Sequence, residues 1–172
     1  MYFIHRGFTL LESMIVMAVM AIILSLAVPS MVDFRSASQV DAVQRNLISV
    51  MNTGRNLAIN NGARVSLCGS SDGVHCDGVW NQWLLFTGDV PASTISITPI
   101  QRGDAGNTPL QADATSVTWQ PTGETNTSLQ IDLCTPDADS RRFVSLSQIG
   151  RPRGSLDMDR DGIHLMPSGS CT

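Results

Sequence analysis

The sequence predicts an α+β protein: one long N-terminal α-helix, membrane-spanning in its first half, packed on a C-terminal head of antiparallel β-sheet. Three observations predict it. An apolar run fills residues 8–28. A helical period continues beyond it to about residue 60. After Gly62 the hydrophobic period changes from that of a helix to two, the spacing of strands.

The apolar run is interrupted only by Thr9, Glu12, Ser13 and Ser25. As a helix it measures about 31 Å, enough to cross a bilayer. A secretory signal peptide would place small residues and a cut after such a run. Ala27-Val28-Pro29 serves poorly, because Pro29 would sit at the cut. The run is therefore expected to stay on the mature protein. Glu12 lies one turn inside it, where a carboxylate costs about 2.5–3.5 kcal/mol. Such a group needs a partner, either another chain or an α-amine exposed by cleavage.

Pro29 lacks an N–H and is expected to kink or loosen the helix. Beyond it Val40, Val43, Leu47, Val50, Gly54 and Leu57 form a stripe, while Asp41, Gln44, Arg45, Asn52, Arg55 and Asn56 fall largely on the other side. Asn60-Asn61-Gly62 is a stop signal. Strands are expected at 64–68, 80–86, 94–100, 115–119, 129–133 and 142–148, with Gly, Pro, Asn and Asp in the gaps. The head thus holds about six to eight strands on the end of the helix.

The chain of 172 residues suits one domain with a real core. All 11 basic residues are arginines, and the net charge is −4. This balance does not suggest wholesale nucleic-acid binding, which usually shows as a basic domain, so any anion site is a local island. Four cysteines lack zinc spacing, since no C-x-x-C occurs. In an oxidising compartment they read as two disulfides out of three possible connectivities. Cys68–Cys76, bracketing a Gly/Ser/Asp turn, and Cys134–Cys171, pinning the C-terminus, are favoured over buried free thiols. No cofactor fingerprint appears, and no metal site is expected. Asp157, Asp159 and Asp161 start a D-x-D-x-D-G run, but Ser168 stands where a calcium loop needs a bidentate glutamate, and Arg160 adds a positive charge. Gly69-Ser70-Ser71-Asp72-Gly73 fits G-x-S-x-G in form only: it lies in a small cysteine loop, and nearby His75 has no evident orienting acid. Trp80 and Trp83 flank an apolar strand and are expected in the core. Trp119 is a further aromatic able to stack on bases.

Arg6-Gly7 followed by Phe8-Thr9-Leu10-Leu11-Glu12-Ser13 and the apolar run closely resembles the class III signal of type IV pilins and type II secretion pseudopilins. The resemblance implies a type IV pilin-like fold and no enzymatic activity. It implies cleavage by a prepilin peptidase between Gly7 and Phe8, with N-methylphenylalanine at Phe8. It assigns Glu12 to pairing with a neighbouring subunit's N-terminal amine during assembly. The cysteine-bracketed turn before Trp80-Asn81-Gln82-Trp83-Leu84-Leu85-Phe86, with Gly150-Arg151-Pro152-Arg153 near the end, looks like the GspH/FimT group of minor pilins and pseudopilins. The expected organisation is a leader at 1–7, a membrane and assembly helix at 8–28, an amphipathic half at 29–61 and a periplasmic or extracellular head at 62–172. The head would be anchored by a single pass in the bacterial inner membrane before incorporation into a filament. In FimT-like pilins G-R-x-R is linked to DNA binding in natural transformation. By resemblance Arg151 and Arg153 carry that role, with Arg141 and Arg142 in the same island. The alternative for these arginines is pairing with Asp157, Asp159 and Asp161. Expected partners are other major and minor pilins, the prepilin peptidase, the inner membrane and double-stranded DNA. The alternative function is that of a minor pseudopilin of type II secretion.

Overall fold

The computed structural model describes residues 9–134 and 142–155; at 25–37 it describes the helix backbone alone. Helix α1 spans Leu10–Asn61, 52 residues. It runs through Pro29 and stops at Gly62, whose φ of 60° is the left-handed conformation that ends helices. Among the described residues eight strands follow: β1 Val65–Ser70, β2 Gln82–Thr87, β3 Gln101–Asp104, β4 Leu110–Ala112, β5 Ser116–Trp119, β6 Leu129–Leu133, β7 Arg142–Leu146 and β8 Pro152–Gly154. They form not one sheet but two, each four-stranded and antiparallel in every pairing, in the orders β3-β2-β1-β5 and β4-β6-β7-β8.

The chain divides into two compact units, residues 1–37 and 38–172. In the first, the described side chains at 10–24 are exposed, including Leu10, Met17 and Ile22. Among the described residues no helix is long and apolar enough to cross a membrane. The part of the expected span whose side chains are described, 10–24, amounts to about 22 Å of helix.

In the second unit, the helical stripe at Val40, Val43, Leu47, Val50, Met51 and Ala58 is buried. It meets Trp83, Leu85, Val117 and Trp119 of the first sheet and Leu129, Ile131, Val144 and Leu146 of the second in one core. Gly54 lets the helix approach: a Cβ there would lie 2.9 Å from both Leu85 Cδ1 and Trp119 Cζ3. Trp83 lies over its cross-strand partner Gly103, which has no side chain to displace it. Trp80 donates from Nε1 to Ala114 O at 2.9 Å, and all three tryptophans are core residues. Gln44 departs from the amphipathic pattern. It is buried, and its Nε2 donates to Phe143 O and Ser155 Oγ, both at 3.0 Å.

The other face of the first sheet carries a second cluster of Cys68, Cys76, Leu84, Phe86 and Ile97. This explains why 94–100 is not a strand. Only Ile97 in that segment is buried, and its N–H is taken by Val74 O at 2.8 Å rather than by a ladder. Strand β3 begins immediately after the segment instead.

Candidate functional site

The processing pair Gly7 and Phe8 lies outside the described residues. Immediately after them Thr9 caps the helix: its Oγ1 accepts the Glu12 N–H at 3.2 Å. T-x-x-E is the capping-box spacing. Glu12 therefore stands in the first turn, where the unpaired N–H groups of a helix favour negative charge. This local role was legible in the sequence but is distinct from the pairing role that the resemblance implies.

The arginines of G-R-x-R are placed by a turn. Gly150 N–H donates to Ser147 O at 2.8 Å, and Ser147 N–H donates to Arg151 O at 3.4 Å. Ser147 Oγ also donates to Arg151 O, at 3.3 Å. Gly150 takes φ 75°, open to glycine at little cost. A Cβ on Gly150 would overlap the carbonyl oxygen of Gly123, so this turn and the 120–124 turn are in contact. Arg151 leads into β8, where Arg153 is paired in register with Ser145. Both arginines are exposed, and neither forms an ion pair with a described carboxylate. Asp157, Asp159 and Asp161, their expected alternative partners, lie outside the described residues.

Arg142 does not belong to the island. Its side chain is 12% exposed, and its Nε donates to Asp41 Oδ1 at 3.1 Å, tying β7 to the helix. The reason is register: Arg142 shares the inward face of β7 with Val144 and Leu146, so its charge is met by the helix rather than by solvent. Arg141 lies outside the described residues. The helix contributes a cation that the sequence did not associate with this region. Arg55 donates from Nε to Gly123 O at 3.2 Å, the same carbonyl that faces Gly150.

The small cysteine loop is a structural device. Cys68 and Cys76 are disulfide-bonded, with Cα atoms 5.6 Å apart. Inside it, Asp72 Oδ2 pairs with His75 Nδ1 at 2.6 Å, while Oδ1 accepts the backbone N–H groups of Val74 and His75 at 2.8 and 2.9 Å. The His75 contact, followed by those backbone donors, holds the Asp72 carboxyl well below the usual range. Thus His75 does have an orienting acid, contrary to expectation. The Ser71 hydroxyl, however, donates to Asp77 and not to His75. No helix follows the strand at this point, so the elbow geometry of a serine hydrolase is missing. Asp77 is also lowered: partial burial opposes ionisation, but the Ser71 hydroxyl and the Val79 and Ser71 N–H groups outweigh it. Cys134, buried after β6, is disulfide-bonded as well; its expected partner Cys171 lies outside the described residues. The 157–162 acidic run is likewise outside them. Among the described residues no group of three His, Cys, Asp or Glu side chains is placed to hold a metal.

Two family models match the chain. Residues 4–28 match the prokaryotic N-terminal methylation motif, and residues 44–150 match the family described as type II transport protein GspH. No curated protein sequence gives a significant match. Among solved structures, the type IV minor pilin FimU of Pseudomonas aeruginosa is similar, with a TM-score of 0.56 and 17% identity, over 67% of this chain and 92% of the crystallised FimU chain. A second crystal form of FimU gives the same score over 70% of this chain and 90% of that one. The minor pseudopilin EpsH of the Vibrio cholerae type II secretion system scores 0.52 at 10% identity, over 70% and 99%. These likenesses establish the type IV pilin fold, and the GspH match spans more than half the sequence. The chain belongs to the GspH family, whose members are pilin-like structural components of type IV pilus or type II secretion machinery and not enzymes.

Proposed function

We propose that this chain is a minor pilin of a type IV pilus system that supports pilus initiation and binds double-stranded DNA for uptake through Arg151 and Arg153. In this reading the leader at residues 1–7 is removed by a prepilin peptidase between Gly7 and Phe8, and Phe8 is methylated. The helix at 8–28 holds the chain in the inner membrane with the head outside. It then leaves lipid for a bundle of pilin stems, with Glu12 meeting a neighbour's N-terminal amine. The match to an N-terminal methylation motif over 4–28 supports the processing steps.

The observation that carries DNA binding is the presentation of Arg151 and Arg153. Both are exposed on a glycine turn and an edge strand, and both lack a described carboxylate partner. Guanidinium forks suit phosphate oxygens. Two such contacts give weak, salt-sensitive binding, each adding about −0.9 to the slope of log affinity against log salt. The acidic remainder of the protein favours confinement of DNA to this patch. The test is a gel shift with detergent-purified full-length protein. Arg151→Gln/Arg153→Gln is expected to lose the retarded band; equal retardation by the variant overturns DNA binding at this motif.

The match to EpsH and the family's description support a second reading, a minor pseudopilin of type II secretion. Deletion of the gene distinguishes them. Loss of piliation and transformation supports the pilus; loss of protein secretion alone supports the pseudopilin.

A further inference from the structure

We propose that Arg55, on the helix, is a third phosphate-binding arginine of the Arg151/Arg153 patch. The inference rests on the DNA-binding reading above and extends its footprint from one strand edge to the helix beside it.

Gly123 O accepts Arg55 Nε at 3.2 Å, and the same oxygen lies so close to Gly150 that a Cβ there would overlap it. A single carbonyl group therefore separates the Arg55 guanidinium from the residue preceding Arg151. A Cβ on Gly123, in turn, would lie 3.3 Å from Arg55 Nε and 2.7 Å from Ile59 Cδ1, so the 120–124 turn is wedged between the helix and the 147–150 turn. Both glycines have positive φ, 84° and 75°. These two conformations hold the backbones at this spacing.

Only Nε of Arg55 is committed. Among the described residues its Nη groups make no hydrogen bond and no ion pair. Nε bonding fixes the plane of the guanidinium and leaves the Nη donors for an anion, a pre-ordered arrangement that lowers the entropy lost on binding. The other head arginines differ. Arg64 is spent on Asp89 at 2.9 Å, Arg142 and Arg45 on Asp41, and Arg102 stands on β3 in the other sheet. Glu124, the carboxylate beside Gly123 in sequence, pairs with no described arginine. Ile59 and Ile149 are exposed on these same elements, at 43% and 58%, and give the patch apolar surface.

The test measures binding of a labelled duplex of about 30 base pairs to full-length protein in detergent, by fluorescence anisotropy, from about 50 to 200 mM salt. Arg55→Gln is expected to weaken binding and to reduce the log–log salt slope by about 0.9, one phosphate contact. Arg55→Lys keeps the charge and is expected to restore the slope. A Gln variant with an unchanged slope overturns the inference. So does a Lys variant as impaired as Gln, which would mark Arg55 as a purely structural tie to the 120–124 turn. If Arg55→Gln is silent while Arg151→Gln/Arg153→Gln loses binding, the third contact fails and the DNA-binding reading stands. If the double variant also binds as the parent does, both fail.

Discussion

Gly150 is the position at which one methyl group would disturb most. Its φ of 75° and its contact with Gly123 O both exclude a side chain. Gly150→Ala is expected to cost about 1–3 kcal/mol and to displace Arg151, read as a lower thermal midpoint together with weaker duplex binding. Two aspartates give opposite responses to pH. Asp72 is held below its ordinary range by His75 and backbone donors. Its ionised form therefore stabilises the fold above about pH 4, and that contribution is lost as the pH falls below it. Asp72→Asn is expected to lower the thermal midpoint at pH 7, with the deficit shrinking in acid. Asp132 is raised by burial, against the Gln130 hydrogen bond, with the charge of Asp113 adding to the rise. The folded state holds its proton more tightly than the unfolded chain does, so stability falls as pH climbs through the Asp132 pKa. Asp132→Asn is expected to raise the midpoint at pH 7 and to leave it nearly unchanged at about pH 3. At this scale the sequence showed which residues bore charge but not which charges were already met. Asp41 and Arg142 stand 101 positions apart, and Gln44 reaches Ser155 across 111. No local pattern carries such pairings.

At the scale of elements, periodicity was a good guide wherever burial was one-sided or complete. The helical stripe from Val40 to Leu47 and strands β5, β6 and β7 lie within or beside the segments expected for them. It failed where short strands carry few apolar residues. β3, β4 and β8 have no fully buried side chain, and their pairing is set by neighbours distant in sequence. The 94–100 segment misled in the other direction. It alternates, but it serves as a cover over Leu84 and Phe86 rather than as a rung of a ladder. The Trp83–Gly103 pairing makes a sharp prediction. Trp83→Ala removes a fully buried indole and is expected to cost about 3–5 kcal/mol in urea unfolding, whereas the half-exposed Val79→Ala stays within about 0.5 kcal/mol.

For the whole molecule, the apolar side chains described at 10–24 are exposed, whereas the unit from residue 38 onward buries an apolar core of its own. The sequence showed this asymmetry plainly, because 21 positions with so few polar interruptions are rare by chance; the doubling of the sheet was not visible, since strand order is decided by long-range pairing. Glu12→Leu is expected to reach the membrane normally yet to be scarce in sheared filaments. Normal incorporation would count against charge pairing at the stem.

The rims of the two sheets bear on how two copies of this head can meet. The outermost strands β3, β4, β5 and β8 are only three or four residues long. Each offers too few unpaired peptide groups to template a strand from an adjoining copy. Two such heads brought side by side would thus touch without zipping together.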